Sequence, residues 1–213
     1  MTSLRVSRAH FPVTALGPGR RLAVWVQGCD LACPGCMSRD TWPADGGQEV
    51  PVAQVVQLWQ QVGAEGLTIS GGEPGQQAAA VRELIEGVRA VPFGGAEPDV
   101  LLYTGYTEPE LAELAPGLAE AADAVVFGRF EIARPTDLLW RGSAGQVLKP
   151  MTALGNQRYG RFVEARTAEP PVQFAVEDDR IWTIGVPRAG QLTAVEKQLR
   201  QRGIEVAGVS WRP

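Results

Sequence analysis

The stretch Arg21-Leu22-Ala23-Val24-Trp25-Val26-Gln27-Gly28-Cys29-Asp30-Leu31-Ala32-Cys33-Pro34-Gly35-Cys36 governs how the rest of the chain is read. Its opening run from Arg21 to Val26 is apolar and β-rich, and it delivers the chain into a loop that holds every cysteine of the protein, spaced C-x3-C-x2-C. A loop that follows a strand directly sits at the strand's C-terminal end, the edge where α/β sheets bind ligands. Thiolates this close in sequence can point at one centre, as they do in metal and iron–sulfur sites. A [4Fe-4S] cluster has four irons, so three protein thiolates leave one iron open to another molecule.

Zinc is the other reading of the same loop. It takes four ligands in a closed tetrahedron. Beyond its 3 cysteines the chain offers only its single histidine, His10, well upstream. A Cys3His zinc site, or a cluster without turnover, would make the protein a non-catalytic interaction module, whereas His10 as an ordinary satisfied side chain leaves the cluster reading in place.

Outward from this stretch the hydrophobic period alternates between strand and helix. Upstream, Leu4 to Arg8 reads as an edge strand leading to a turn at Ala15-Leu16-Gly17-Pro18-Gly19. Downstream, Val52, Val55, Val56, Trp59 and Val62 share one helical face, with Gly63 and Gly66 near its end. Leu67 to Ser70 is a strand ending in Gly71-Gly72-Glu73-Pro74, and Val81, Leu84, Ile85 and Val88 mark the next helix. Val100 to Tyr103 is a strand ending in Thr104-Gly105-Tyr106, after which Thr107 and Glu110 have capping-box spacing. Ala124 to Phe127 is a further strand. The alternation predicts an α/β protein of parallel βα units closing part or all of a barrel.

After Phe130 the pattern loosens, with Gly142 to Gly145 and Gly155 to Gly160 read as connecting loops. The tail then reads as a ββαβ unit: strand Val172 to Val176, acidic turn Glu177-Asp178-Asp179, strand Ile181 to Ile184, a helix through Leu192, Val195 and Leu199, a stop at Gly203, and strand Ile204 to Val206. It is either a small C-terminal extension or the last elements of the barrel.

Composition sets outer bounds. The 213 residues suffice for one sizeable domain. A formal charge of −4 without a long basic run argues against general attraction to nucleic acid or an acidic membrane. An odd number of cysteines in one motif, with no apolar signal core near Met1, points to a reducing cytoplasm.

Gly71-Gly72-Glu73 lies just past a strand end, where glycines let a ligand approach the backbone. Taken alone it is equally a tight turn with an acid in a helix's first turn. With the cysteine loop at the same edge, it reads as a site for a ligand bearing a protonated amine.

These residues resemble the radical S-adenosylmethionine superfamily, with Cys29-x3-Cys33-x2-Cys36 as its cluster motif and Ser70-Gly71-Gly72-Glu73-Pro74 as its glycine-glycine-glutamate motif. Among its branches the chain is similar to the glycyl-radical-enzyme activating proteins of the anaerobic ribonucleotide reductase type. The similar segments are Gly17-Pro18-Gly19-Arg20-Arg21, Cys33-Pro34-Gly35-Cys36 with Thr41-Trp42, Tyr103-Thr104-Gly105-Tyr106-Thr107, and Trp140-Arg141-Gly142-Ser143 with Gln146.

The resemblance implies a partial (β/α)6 barrel core over residues 1–165, with 166–213 as the extension or last barrel elements. It implies a [4Fe-4S] cluster on Cys29, Cys33 and Cys36, with S-adenosylmethionine on the open iron and its amine near Gly71, Gly72 and Glu73. Thr104 is then a candidate for the ribose and Met37 for the adenine side. An electron, from a donor such as flavodoxin or ferredoxin, would cleave S-adenosylmethionine to a 5′-deoxyadenosyl radical. That radical would take hydrogen from a glycine of a partner glycyl radical enzyme or, alternatively, from a peptide or small molecule undergoing maturation. Three positions depart from the family pattern: Met37 and Phe127, which stand for an aromatic residue and an acid, and Gly145, which stands for an asparagine.

Overall fold

A computed structural model describes residues 2–91, 95, 97–177, 180–188 and 190–207. Its centre is a mixed sheet. Strands β1 (Ser3–Val13), β2 (Arg21–Val26) and β3 (Gln48–Pro51) are followed by helix α1 (Val52–Val62), β4 (Gly66–Gly71), α2 (Ala78–Ala90) and β5 (Asp99–Tyr103). Then come α3 (Glu108–Leu114), α4 (Leu118–Ala121), β6 (Ala124–Phe127), β7 (Val147–Pro150) and α5 (Ala153–Tyr159). The seven strands lie in the order β3-β1-β2-β4-β5-β6-β7.

Only β2, β4, β5 and β6 run parallel, each beside its successor; β1, β3 and β7 are antiparallel additions. Against the sequence expectation, the parallel part is therefore shorter than six strands. Nor is β1 an edge, because the polar segment Gln48–Pro51 pairs along its outer side. All six residues of β2 are buried, as a parallel strand covered on both faces requires.

Side chains of the parallel strands alternate between two layers. Leu22, Val24, Leu67, Ile69, Leu102, Val125 and Phe127 point to the helices, where Trp59, Val81, Leu84 and Ile85 complete one core. α1 packs on α2 and α2 on α4. Local signals set the helix ends: Gly63 closes α1 in the left-handed region (φ 63), and Thr107 with Glu110 makes the expected capping box on α3. On the other face, Leu101, Ala124, Val126 and Leu148 are covered by Trp140 and Tyr159, with the Trp140 ring tilted against that of Phe162 at 4.7 Å between centroids.

Beneath that cover, at the N-terminal ends of the strands, lies a closed polar cluster. Arg21 is fully buried, and its guanidinium donates to Thr68 Oγ1 (2.7 Å), Pro18 O (3.0 Å), Asp99 Oδ1 (2.8 Å), Leu67 O (2.7 Å) and Asp99 O (3.2 Å). Tyr159 donates its hydroxyl to the same Asp99 carboxylate.

The chain ends in β8 (Val172–Glu177) and β9 (Arg180–Gly185), an antiparallel pair forming its own sheet, followed by α6 (Gln191–Gln201). The pair is fastened to the N-terminal segment. Gln173 accepts from the backbone of Thr14 (2.6 Å) and Ala15 (2.9 Å) and donates to Pro12 O (3.1 Å), while Ile184 enters a cluster with Val13, Leu16, Ala23 and Trp25. The Arg8 guanidinium lies between the rings of Trp25 (5.5 Å) and Trp182 (4.2 Å) and bonds Asp40 at 2.8 Å.

Two local expectations are overturned. Gly155 to Gly160 is not a loop but most of α5 and the start of a 3-10 turn. Ile204 to Val206 forms no strand, because Ile204 N–H turns back to Leu199 O (3.0 Å). Asp178 and Asp179 of the expected acidic turn lie outside the described residues. Among those residues no helix is long and apolar enough to cross a membrane.

Candidate cluster site

The cysteine loop leaves β2 and is closed at its base by the returning chain, where Gly28 N–H donates to Thr41 O (2.7 Å) and Cys29 N–H to Trp42 O (3.1 Å). Beside it the end of β4 continues the ladder: Gly72 N–H donates to Val26 O and Glu73 N–H to Gly28 O, both at 2.8 Å. Only glycine permits this approach. A Cβ on Gly72 would sit 2.2 Å from Gly28 O, and one on Gly71 (φ 107) would sit 2.5 Å from Val26 N. The two glycines thus bring backbone against backbone one residue short of Cys29, and the Gly72 and Glu73 amides are taken by the protein.

Glu73 is almost completely buried at 1% exposure, and its carboxylate accepts from Gly75 N–H (2.8 Å), Thr104 Oγ1 (2.7 Å) and Gly105 N–H (2.7 Å). Burial pushes its pKa up and these donors pull it back down, the net direction being upward. The Thr104 hydroxyl also accepts from Tyr106 N–H (3.1 Å), so both its donor and an acceptor position are in use. Gln76 donates to Asp30 on the cysteine loop and to the Tyr106 hydroxyl (3.4 Å), and Leu31 packs on Gly105. Glu73 and its neighbours therefore lock the ends of β2, β4 and β5 together.

The three cysteines are free thiols, all partly exposed. The Cys36 sulfur accepts from Ser38 N–H (3.4 Å), and the backbone N–H groups of Leu31 and Phe130 lie near the Cys29 and Cys33 sulfurs and favour their thiolates. Burial pushes the Cys29 and Cys33 thiols up; Glu73 and the neighbouring sulfurs add to this at Cys29, whereas Arg129 draws Cys33 down. Separate sulfurs held on a loop, each with a backbone N–H nearby, suit a cluster that takes its thiolates at different corners and whose potential responds to such donors.

His10 pairs with Ala23 near the start of β2, while Cys29 lies beyond its end, so the histidine stands apart from the cysteine loop.

The loop after β6 completes the frame and was not legible as part of the site. Gly128 (φ 106) turns the chain so that Phe130 N–H lies near Cys33, Ile132 packs on Gly35, and Arg129 lies near the sulfur while bonding Glu110 (2.9 Å). Ser143 and Gln146 hold this loop. The fully buried Ser143 hydroxyl accepts from Glu131 N–H (2.6 Å) and donates to Glu131 O (3.2 Å). Gln146 accepts from Gly142 N–H (2.8 Å) and Ser143 N–H (3.2 Å) and donates to Gly128 O (3.0 Å). Backbone donors carry no residue signature; the signal in the sequence was the Arg141-Gly142-Ser143 segment with Gln146, whose task was not evident.

From the cysteine loop a cleft of about 780 Å³ runs between the post-β6 segment and the C-terminal unit. Gly35 and Met37 line it beside the cysteine loop, together with Phe130, Trp140 and Arg141 from the post-β6 segment and Arg166, Arg188 and Leu192 from the C-terminal part. Phe127 lies in the helix-side core, away from this cleft. A side chain at Gly145 would meet Glu131 Oε1 at 2.6 Å, so glycine there fits the local arrangement.

Residues 15–149 match the family described as a 4Fe-4S single cluster domain. Three curated relatives carry the name anaerobic ribonucleoside-triphosphate reductase-activating protein. That of Enterobacteria phage T4 is 34% identical over 137 residues, 62% of this chain and 85% of the phage protein. That of Vibrio cholerae serotype O1 is 35% identical over 151 residues (67% and 96%), and that of Escherichia coli K12 30% over 148 residues (65% and 94%). The family match and these relatives define the class as radical S-adenosylmethionine proteins with a single cluster. Within it, the chain belongs to the family of anaerobic ribonucleotide reductase-activating proteins, the glycyl-radical-activating type. Its cofactors are a [4Fe-4S] cluster and S-adenosylmethionine.

Proposed function

We propose that this chain is an enzyme that activates a glycyl radical enzyme. When bound, the two cofactors would supply one-electron reductive cleavage of the sulfonium and, from it, the means to abstract a hydrogen atom from a backbone glycine. The protein's contribution is to bind, orient and shield. Cys29, Cys33 and Cys36 are the proposed cluster ligands. Gly71 and Gly72 bring the β4 end against the cysteine loop, and Glu73, through Thr104 and Gly105, is a positioning residue rather than a direct holder of the amine. Met37, lining the cleft beside the cysteine loop, is the proposed neighbour of the nucleoside.

The observation that supports this reading is the placement of all three cysteines on one loop at the C-terminal edge of four parallel strands, where Gly71 and Gly72 bring the end of β4 against that loop. In the same reading the sheet is the core of a partial barrel over residues 1–165, 166–213 is an extension, the setting is a reducing cytoplasm, and the reductant is a low-potential carrier such as flavodoxin or ferredoxin. A maturase acting on a peptide or small molecule is the second reading, favoured by the length of chain beyond residue 149, where the family match stops.

Anaerobic reconstitution should give about four irons per chain, and dithionite with S-adenosylmethionine should yield 5′-deoxyadenosine. Absence of 5′-deoxyadenosine from iron-loaded protein would overturn the proposal. A glycyl EPR signal on a reductase incubated with the protein selects activation over maturation.

A further inference from the structure

The returning limb of the cysteine loop is tied to the C-terminal hairpin through one side chain. Ser38, whose N–H meets the Cys36 sulfur, opens the 3-10 turn Arg39–Thr41. The backbone of that turn is held locally: the fully buried Thr41 donates from Oγ1 to Ser38 O (2.6 Å), and Gln27 donates to Asp40 O (3.1 Å) and Pro43 O (2.8 Å). The Asp40 carboxylate turns instead to Arg8, accepting from its Nη1 at 2.8 Å. Arg8 is aimed there by an irregularity in the β1–β2 ladder. Val6 stands opposite Val26 but Arg8 opposite Trp25, so β1 carries one extra residue, a bulge of the kind that redirects a side chain. The guanidinium then lies 5.5 Å from the Trp25 ring centroid and 4.2 Å from that of Trp182, its faces covered by indoles while its edge bonds the carboxylate. The Arg8 side chain is 20% exposed and that of Asp40 38%, so the pair is shielded only in part. Trp182 stands opposite Ala175 in the hairpin, two residues before Ile184, which enters the cluster of Val13 and Trp25.

We infer that the C-terminal hairpin braces the cluster loop, with Trp182 and Arg8 as positioning residues that hold Asp40 and, through it, the limb that carries Cys36. This rests on the assignment of Cys29, Cys33 and Cys36 as cluster ligands proposed above. A cluster held by three protein thiolates is released once one limb of its loop swings away, and the limb after Cys36 is the part of the loop that Asp40 fastens to β1 and β9. The family match covers residues 15–149, which places Trp25 and Asp40 inside the shared domain and Arg8 and Trp182 outside it. The brace is accordingly built from the flanks of that domain, by a hairpin that contributes no cysteine of its own. Coupling of this kind is reciprocal: if a docked hairpin stabilises the bound cluster, the bound cluster stabilises the docked hairpin by the same amount.

The test is anaerobic reconstitution of the full chain, followed by transfer of its iron to a ferrous chelator, with the melting temperature of the apo protein measured beside it. Trp182→Ala and Asp40→Asn should each still take up about four irons. Each should then release them about fivefold faster than the unaltered chain, the size expected of one partly shielded contact. The double variant should release iron no faster than either single one, because both act through Arg8. Trp182→Phe, which keeps a ring on the guanidinium, should restore most of the retention. Hydrogen exchange across β9 should in turn be slower in the loaded protein than in the apo protein. Unaltered release from both single variants, or rates that multiply in the double variant, overturns the inference. So does a lowered apo melting temperature with unchanged release, which would leave Trp182 a seat for the hairpin alone. Failure of the unaltered chain to take up iron is a different result and overturns the cluster assignment on which the brace rests.

Discussion

At the N-terminal ends of β2 and β5, Arg21 donates to protein acceptors from all three of its nitrogens, and Asp99 gathers Arg21, Tyr159 and Arg158 around one carboxylate. At the C-terminal ends of the same strands, the thiols are partly exposed and the buried Tyr103 hydroxyl has no hydrogen-bond partner among the described residues. Burial works against the Arg21 charge, and Tyr159 with Asp99 more than restore it, so its pKa is raised. Burial works against the Arg141 charge too, and there Glu164 and Tyr103 offset it only in part, so its pKa is lowered. The lesson is that a satisfied polar cluster can only hold a fold together, whereas a frame with open positions is prepared for something that arrives later.

Crossed substitutions should break this contrast most sharply. Cys33→Ala at the open end should abolish the cluster, read as loss of iron and of visible absorbance, yet leave the melting temperature of the apo protein almost unchanged. Asp99→Ala at the closed end should do the reverse, because it strands a buried guanidinium: chemical denaturation should show a loss of about 3–5 kcal/mol, with the cysteine loop still able to take iron. If Asp99→Ala were the milder change in stability, the closed cluster would not be the structural anchor described.

Gln146→Ala should be intermediate, slackening the Gly128 to Glu131 loop and with it the Phe130 N–H near Cys33. Iron content should be retained while the cluster's reduction potential shifts to a more negative value, since a donor to sulfur favours the reduced form; an unchanged potential and EPR spectrum would show that the loop is held by other means.

The smallest effect concerns Glu110 at the rim, whose pKa is pulled down to about 2 by Arg129 first and then by Thr107. A depressed acid contributes stability that is present above the ordinary carboxylate range and lost as pH falls toward the folded value. Carboxyl NMR should therefore show Glu110 titrating near 2, and Glu110→Gln should flatten this part of the acid limb.

Much of the frame was legible because its signals are local. The run Arg21–Val26, the α1 face with Gly63, and the box at Thr107 and Glu110 declare themselves within a few residues. What escaped depends on distant partners. Gln48–Pro51 is a strand because β1 runs beside it, and Val147–Pro150 because β6 does. Gly155 looked like a loop residue, yet it is a glycine because a Cβ there would lie 1.8 Å from Asp123 O where α5 packs on the sheet. In the site itself the cysteines and Gly71-Gly72-Glu73 stood out. The target of the Glu73 carboxylate did not, because the bonds that occupy it come from residues that only the β4 and β5 pairing brings near.

The Arg8 guanidinium between Trp25 and Trp182, with Asp40 as its counter-ion, makes the two ends of the chain one mechanical unit. Grafting the C-terminal hairpin onto another member of the family would accordingly require its receptor as well: Arg8, Trp25 and the backbone from Pro12 to Ala15 that Gln173 grips. A designer who moved the last segment alone would leave Trp182 and Ile184 without seats. The exchangeable cassette is thus discontinuous in sequence, composed of the first and last strands together, with the catalytic middle left in place.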